Sequence, residues 1–322
     1  MKKFLFNFAF IALFLISLNF SVFASKNMEQ EADKTIIPLY RMLENKSPLP
    51  MNRRLEFISE QFLNKPYLLG ALGEGTNGDF DQFPLYRVDS FDCETYVDTV
   101  LALALAKDLS SFKSYIRKIR YQDGVVSYTS RNHFTSIDWN LNNQHFGYLE
   151  DITNDITLDK KPVAEIATAL IEKPNWYQHL PIDNVRLLKN DPNLQKLKWA
   201  ELKYKGSKLS NQISHIPYLP LNKLFDSKEK ANNALFKQIP NGAIIEIVRP
   251  NWQLRDKIGT NLNVSHMGFA FWINGVLVFR QASSNFSKTI DVSLIDYLRE
   301  ALKSPTIKGI NIQIVKPQEP TK

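Results

Sequence analysis

The residue in this chain that is best suited to covalent chemistry is a lone cysteine at the start of a helical segment. Cys93 is the one cysteine of the sequence, and apolar residues at 93, 96, 97, 100, 101 and 104 follow the period of a helix. Unpaired N–H groups and the helix dipole at such a position favour an anion. We therefore expect a lowered pKa for the thiol, which would make Cys93 a nucleophile with oxyanion donors beside it.

A cysteine nucleophile needs a base, and the sequence offers five histidines, at positions 133, 145, 179, 215 and 266. His266 is the best candidate because it opens an apolar strand-like segment, residues 267–271. The Asn274-Gly275 pair predicts a hairpin, which would return the chain and bring Gln281 beside His266. The Gln281 carbonyl can accept a hydrogen bond from the imidazole. Taken alone, a helix cysteine and a strand histidine are also typical of a protein core.

The elements that must position these residues change in type along the chain. Helical periodicity dominates the first part and short strands the last part, which predicts an α+β fold. Predicted helices cover two segments within 34–64, then 92–106, 111–120, 164–172 and 293–302. Predicted strands cover 125–130, 243–249, 266–273, 276–281 and 310–315. A glycine- and acid-rich loop precedes the cysteine helix, and residues 140–240 are interpreted as an insertion.

Composition excludes several classes of protein. The 322 residues are 44% hydrophobic and 12% aromatic, with a net charge of +7, which indicates a folded globular chain. One cysteine cannot form an intramolecular disulfide or a cysteine-rich metal site, and no HExxH motif occurs, so neither a metal nor another cofactor is expected. Lysine and arginine form no block, so nucleic-acid binding is not expected.

The N-terminal residues have the pattern of an export signal. Two lysines precede an almost wholly apolar run, residues 4–20, and small residues lead to a predicted cleavage after Ala24. We expect residues 1–24 to be a signal peptide and residues 25–322 to form one catalytic domain that is periplasmic or secreted. An uncleaved membrane anchor is the alternative, but the run is short for one. No stable membrane insertion is expected after cleavage.

Four motifs in order resemble the NlpC/P60 cell-wall hydrolases. Phe91-Asp92-Cys93-Glu94-Thr95 resembles the nucleophile motif, and Pro66-Tyr67-Leu68-Leu69-Gly70 resembles the upstream PY-x-x-G element. Gly242-Ala243-Ile244-Ile245 followed by Ser265-His266-Met267-Gly268 resembles the "GD-aliphatic … HVG" pair, although Ala243 replaces the common Asp. Gln281-Ala282-Ser283 stands where the family commonly has His. Glu94, the segment 130–134 and the chain length look most like the DUF1460 branch.

The resemblance implies a papain-like core in which the cysteine helix packs on an antiparallel sheet. It implies Cys93 as nucleophile, His266 as base, Gln281 as the group that orients the base, and Tyr67 as an oxyanion donor. Arg131, His133 and Ser283 are candidates for substrate binding.

The activity that the resemblance implies is that of an N-acetylmuramoyl-L-alanine amidase acting on peptidoglycan or muropeptides. A γ-D-glutamyl-diamino acid endopeptidase is the alternative within the same chemistry. A non-catalytic wall-binding module and a thiol acyltransferase remain as other classes.

Overall fold

The computed structural model describes residues 24–46 and 48–317, so residues 1–23 of the predicted signal peptide lie outside the described part. The helices are α1 (Ala24–Glu44), α2 (Met51–Glu60), α3 (Cys93–Leu105), α4 (Leu109–Arg120), α5 (Asn140–His145), α6 (Lys173–His179), α7 (Pro192–Gly206), α8 (Leu221–Leu224), α9 (Asn233–Phe236), α10 (Arg255–Ile258) and α11 (Leu294–Ala301). The strands are β1 (Leu149–Asp151), β2 (Thr157–Leu158), β3 (Lys161–Pro162), β4 (Glu165–Ile171), β5 (Gln212–Pro220), β6 (Ala243–Trp252), β7 (Leu262–Ile273), β8 (Val276–Ser283), β9 (Lys288–Ser293) and β10 (Gly309–Val315). No helix among these is long and apolar enough to cross a membrane.

An antiparallel sheet forms the centre of the protein. Its strands run in the order β4-β5-β10-β6-β7-β8-β9, and the short β1 also pairs with β10. The hairpin between β7 and β8 turns at Asn274 and Gly275, which have positive φ values of 50° and 80°. Asn and Gly tolerate that conformation best, which is why the dipeptide predicts the turn. The predicted combination of helices with an antiparallel sheet is confirmed.

Helices cover both faces of the sheet, and the cysteine helix is almost completely enclosed. Successive residues of β6 pack on opposite faces of the sheet. Ile244 belongs to the core around α3, whereas Ile245 belongs to the core around α11. Of the thirteen residues of α3, ten are buried, including Val97 and Leu101. Because the helix is packed in this way, its first turn is held in a fixed position over the sheet.

Two local predictions are wrong. Residues 164–172 form strand β4 instead of a helix, because Ala167, Ala169 and Ile171 alternate inward while Ile166 and Leu170 face outward, and the strand pairs with β5 over seven residues. Residues 125–130 contain no strand. They end in a short 3₁₀ turn, Tyr128–Ser130, because the Ser127 hydroxyl accepts from the Ser130 N–H and satisfies the backbone locally.

A buried carboxyl in the sheet makes stability depend on pH. Glu246 of β6 is fully buried, and its Oε2 accepts from Asn140 Nδ2 at 3.1 Å, while Oε1 has no partner among the described residues. Burial raises the pKa of Glu246 to about 8. In the unfolded chain Glu246 ionises at a lower pH than in the folded protein. The stability that protonated Glu246 contributes is therefore fully present below the pKa that this group has in the unfolded chain. It is lost as pH rises toward the folded pKa, by up to about 1.4 kcal/mol per pH unit.

We therefore expect Glu246→Gln to flatten this dependence, because an amide of similar shape has no proton to lose. Urea unfolding of wild type and variant at roughly pH 5, 6.5 and 8 measures it. Glu150→Gln on the half-exposed Glu150–Lys316 ion pair is the control and should leave the dependence intact. A constant difference between wild type and Glu246→Gln at all three pH values would contradict the assignment.

Candidate active site

A capping box fixes the start of the cysteine helix. The Asp92 carboxylate accepts from the Thr95 N–H at 2.8 Å, and the Thr95 hydroxyl accepts from the Asp92 N–H at 2.9 Å. Reciprocal capping of this kind satisfies two groups that would otherwise be unpaired. Because the cap is made by the residue immediately before Cys93, the thiol is held in the first helical turn.

Tyr67 is brought to the thiol by a short pairing of two loops. Tyr67 pairs with Phe91, the Leu68 N–H donates to the Phe91 carbonyl at 2.9 Å, and the Gly70 N–H donates to the Asp92 carboxylate at 2.8 Å. Burial, followed by the charges of Cys93 and Asp92, raises the pKa of the half-buried Tyr67. The phenol therefore keeps its proton at neutral pH and can donate it in a hydrogen bond.

The surroundings of Cys93 differ from the expectation of a lowered thiol pKa. Burial, the neighbouring Asp92 carboxylate and then Glu94 raise the pKa of Cys93, and they outweigh the N–H groups of Met267 and Glu94, which lower it. The prediction from the helix start is wrong because it counted the dipole and omitted desolvation and the two acids. The resting thiol is neutral, so a base must take its proton when it reacts.

His266 is held as such a base by Gln281. The two residues lie on the adjacent strands β7 and β8, and His266 Nε2 hydrogen-bonds Gln281 Oε1. An amide oxygen only accepts, so Nε2 carries the proton and Nδ1 keeps its lone pair. Burial lowers the pKa of His266 to about 4, against the opposing effects of Gln281 and Asp92. The imidazole is thus neutral and able to accept a proton near pH 7.

Cys93 and His266 share three neighbours. Cys93 lies against the N–H of Met267, the residue next to His266, and Asp92 acts electrostatically on both groups. Tyr297 of α11 stacks on the His266 ring, with centroids 6.3 Å apart and planes 26° apart, and its pKa is raised to about 12 by burial with a contribution from Cys93. The structure therefore places Cys93, His266, Gln281 and Tyr67 in one region.

The predicted binding residues Arg131 and His133 lie beside each other in a well-packed layer. Arg131 donates to Asp81 at 2.9 Å, and its Nε is buried without a partner among the described residues. His133 Nε2 donates to the Tyr128 carbonyl at 2.9 Å, and its ring lies between those of Tyr128 and Trp176. Their substrate role stays a prediction.

The third predicted binding residue, Ser283, is buried at the end of β8. It lies two residues after Gln281, and its hydroxyl accepts from the Phe286 N–H at 3.4 Å in the turn to β9. Ser283 therefore has a structural partner in this turn. A contact with substrate stays a prediction.

Several interactions around the site were not foreseen from the sequence. Glu94 is electrostatically linked to Asp98, Asp92, Arg120 and Arg131, and burial raises its pKa well above the usual value. The buried Asp98 accepts from Trp139 Nε1 at 2.7 Å. The helical period of α3 places Asp98 four residues after Glu94, on the same face, and this spacing is the one signal that could have indicated the pair.

Comparisons with known proteins give a family and structural neighbours for this chain. A family model described as N-acetylmuramoyl-L-alanine amidase-like matches residues 57–307. A crystal structure of a DUF1460 protein from Legionella pneumophila is 55% identical, covers 92% of this chain and 98% of its own, and has a TM-score of 0.89. An N-acetylmuramoyl-L-alanine amidase from Bacteroides uniformis is 27% identical over 83% of this chain and 99% of its own, with a TM-score of 0.56.

No curated protein sequence matches the chain significantly. The family match includes Tyr67, Cys93, His266 and Gln281, and it extends from the end of α2 to the segment before β10. Together with the amidase-named structural neighbour, it supports a cell-wall amidase-like hydrolase function. The chain therefore belongs to the AmiA-like family, the N-acetylmuramoyl-L-alanine amidase-like proteins.

Proposed function

We propose that this protein is a cysteine-dependent N-acetylmuramoyl-L-alanine amidase with a papain-like NlpC/P60 core. The observation that carries the proposal is that a thiol at a capped helix start lies against the N–H of Met267, the residue next to a neutral histidine whose free nitrogen is set by Gln281. A structural cysteine needs no such partner, and a wall-binding module would not need an oriented base. Peptidoglycan, or muropeptides released from it, is the proposed substrate.

The first half-reaction forms a thioester. His266 Nδ1 takes the Cys93 proton as Sγ attacks the carbonyl carbon of the amide, and the carbonyl oxygen becomes an oxyanion. The Tyr67 hydroxyl and the N–H groups of the first turn of α3 supply donors for that oxyanion. His266 then gives its proton to the amide nitrogen, the C–N bond breaks, and the peptide leaves with a free amino group.

The second half-reaction returns the enzyme to its starting state. His266, again neutral, takes a proton from water while the water oxygen attacks the thioester carbon. The C–S bond breaks, the acyl group leaves as a carboxylic acid, and the proton on His266 returns to Cys93. The neutral resting states of Cys93 and His266 suit this order of steps, because each proton that His266 accepts is passed on within the cycle.

The bond cleaved is proposed to be the amide between the lactyl group of N-acetylmuramic acid and L-Ala. Incubation of the mature protein with a defined muropeptide, with products identified by mass, tests this assignment. An intact stem peptide with L-Ala at its N-terminus is expected. A peptide that begins at the diamino acid would instead assign the γ-D-glutamyl endopeptidase reaction, and no cleavage would favour a binding module.

Substitutions of Gln281 test whether its hydrogen bond positions His266 as the base. We expect Gln281→Ala to lower kcat by about 10- to 100-fold with a small change in KM, because the imidazole loses the acceptor that fixes its tautomer. Gln281→Glu keeps an acceptor and adds a negative charge, which should raise the pKa of His266 and shift the acid limb of the pH profile upward. Full activity of Gln281→Ala would show that the hydrogen bond has no catalytic role.

Export is the last part of the proposal. The lysines at positions 2 and 3, the apolar run and the cleavage motif ending at Ala24 support a periplasmic or secreted location, where peptidoglycan is accessible. Fractionation of cells that produce the full chain, with N-terminal sequencing of the mature form, tests it. A cytoplasmic protein that begins at Met1 would contradict it.

A further inference from the structure

One half-buried cation beside the site has no negative partner in the described part of the chain. Arg249 of β6 donates from Nε to the Ser265 hydroxyl at 3.0 Å and from Nη1 to the Thr306 hydroxyl. Its guanidinium lies 4.4 Å from the centroid of the Trp252 ring. All three partners are neutral, and burial without a counter-charge lowers the pKa of Arg249. A desolvated cation is costly unless an anion compensates it.

The other arginines near the site are already paired. Arg131 and Arg186 share the Asp81 carboxylate at 2.9 and 2.6 Å, and Arg280 binds Asp291 at 2.7 Å. Among residues 24–46 and 48–317, Arg249 forms no ion pair with a carboxylate. Its planar group therefore keeps capacity for an anion from outside the protein, and a carboxylate fits guanidinium geometry best.

Arg249 lies on the histidine side of the catalytic residues. Ser265, which it contacts, immediately precedes His266 in β7. Tyr297 interacts electrostatically with Arg249 and with Cys93 while its ring stacks on His266. Because His266 protonates the departing amine, this side of the site receives the peptide half of the substrate.

We propose that Arg249 binds a carboxylate on the peptide half of the substrate, within one or two residues of the scissile amide, with Trp252 as the flat wall of this subsite. The inference rests on the proposed amidase function and adds the chemical class of the leaving group. In a muropeptide, the first free carboxylate after L-Ala is the α-carboxylate of D-Glu, which a chain of two residues places within about 7 Å of the cleaved bond. An amidated α-carboxyl would lose the charge and half of the bidentate contact.

The test compares acid and amide forms of one substrate. N-Acetylmuramoyl-L-Ala-D-Glu and N-acetylmuramoyl-L-Ala-D-isoglutamine, both with the γ-carboxyl blocked as a methylamide, are assayed with wild type, Arg249→Met and Arg249→Lys. Wild type should show a KM about 10- to 100-fold lower for the acid, as expected for a charged hydrogen-bonded pair. Arg249→Met should bring the KM ratio near one, chiefly by raising the KM for the acid, and Arg249→Lys should retain part of the preference. Arg117→Met, on the exposed side of α4, is the matched control and should keep the full ratio.

Direct binding separates this proposal from the proposed function. Binding of the product dipeptides L-Ala-D-Glu and L-Ala-D-isoglutamine, both with the γ-carboxyl blocked as a methylamide, is measured by calorimetry, which needs no turnover. If no muropeptide is cleaved but the acid dipeptide binds more tightly in an Arg249-dependent way, the amidase proposal fails and the carboxylate site stands. Equal affinity of wild type for both dipeptides, or a preference that survives Arg249→Met, would overturn the carboxylate site. If Arg249→Met does not fold, an unchanged preference in Arg249→Lys overturns it equally.

Discussion

Replacing Cys93 with alanine is expected to lower muropeptide cleavage by about 10⁴-fold or more, because the group that forms the covalent intermediate is removed. Cys93 is half-buried at a helix start whose cap is made by Asp92 and Thr95, so the variant should fold normally. The rate of peptide release from a defined muropeptide, followed by mass or chromatography, measures the effect.

Cys93→Ser is the matched variant, since it keeps the shape of the side chain but offers a weaker nucleophile. We expect strongly reduced turnover and unchanged thermal stability. Activity of Cys93→Ala within about tenfold of wild type would exclude a thioester mechanism, because removal of a true nucleophile costs several orders of magnitude. The remaining candidates would then be water attack assisted by His266 or a different site.

The second large effect concerns the stability of the loop that flanks the site. Asp81 is almost completely buried and binds both Arg131 and Arg186. Asp81→Ala leaves two cations without their carboxylate, and we expect a loss of about 3–5 kcal/mol in the free energy of unfolding. Urea denaturation near pH 7 measures the change. Asp296→Ala, which breaks the exposed pair with Arg299, is the control and should cost less than about 1 kcal/mol.

The Asp81 carboxylate also makes the free energy of unfolding depend on pH. Burial alone would raise the pKa of Asp81, but Arg186 and Arg131 together hold it below its ordinary value. The stability from this group is therefore present above the unfolded pKa and is lost as pH falls toward the folded pKa. The difference between wild type and Asp81→Asn should shrink below about pH 4. A difference that is independent of pH would show that packing, and not charge, is lost.

The sequence predicted the parts of the molecule that local patterns determine. The cysteine helix, the β7–β8 hairpin at Asn274-Gly275 and the pairing of His266 with Gln281 follow from helical period, turn chemistry and strand alternation. These features need only neighbours in the chain. The prediction of a helix over residues 164–172 was wrong because pairing with β5, about 40 residues later, decides the conformation of β4.

The electrostatics of the site could not be predicted in the same way. The helix start alone favoured a lowered thiol pKa, but burial and the acids at positions 92 and 94 reverse its direction. The ion pair of Arg131 with Asp81, 50 residues away, also has no signal in the sequence. Arg249 and Tyr297 carry no sequence motif, and they reach the site only because β6 and α11 pack beside β7 and β8. Such contacts depend on tertiary structure, which spacing does not encode.

Cleavage of a defined muropeptide in water enriched with ¹⁸O tests the central claim most directly, because the label marks the carbonyl that the enzyme attacked. Hydrolysis of a thioester on Cys93 at the proposed bond places one ¹⁸O in the lactyl carboxyl of the muramic acid fragment and none in the released peptide. We predict that result for wild type and no labelled product for Cys93→Ala. Label in a carboxyl of the peptide, or equal labelling with the alanine variant, would contradict the account.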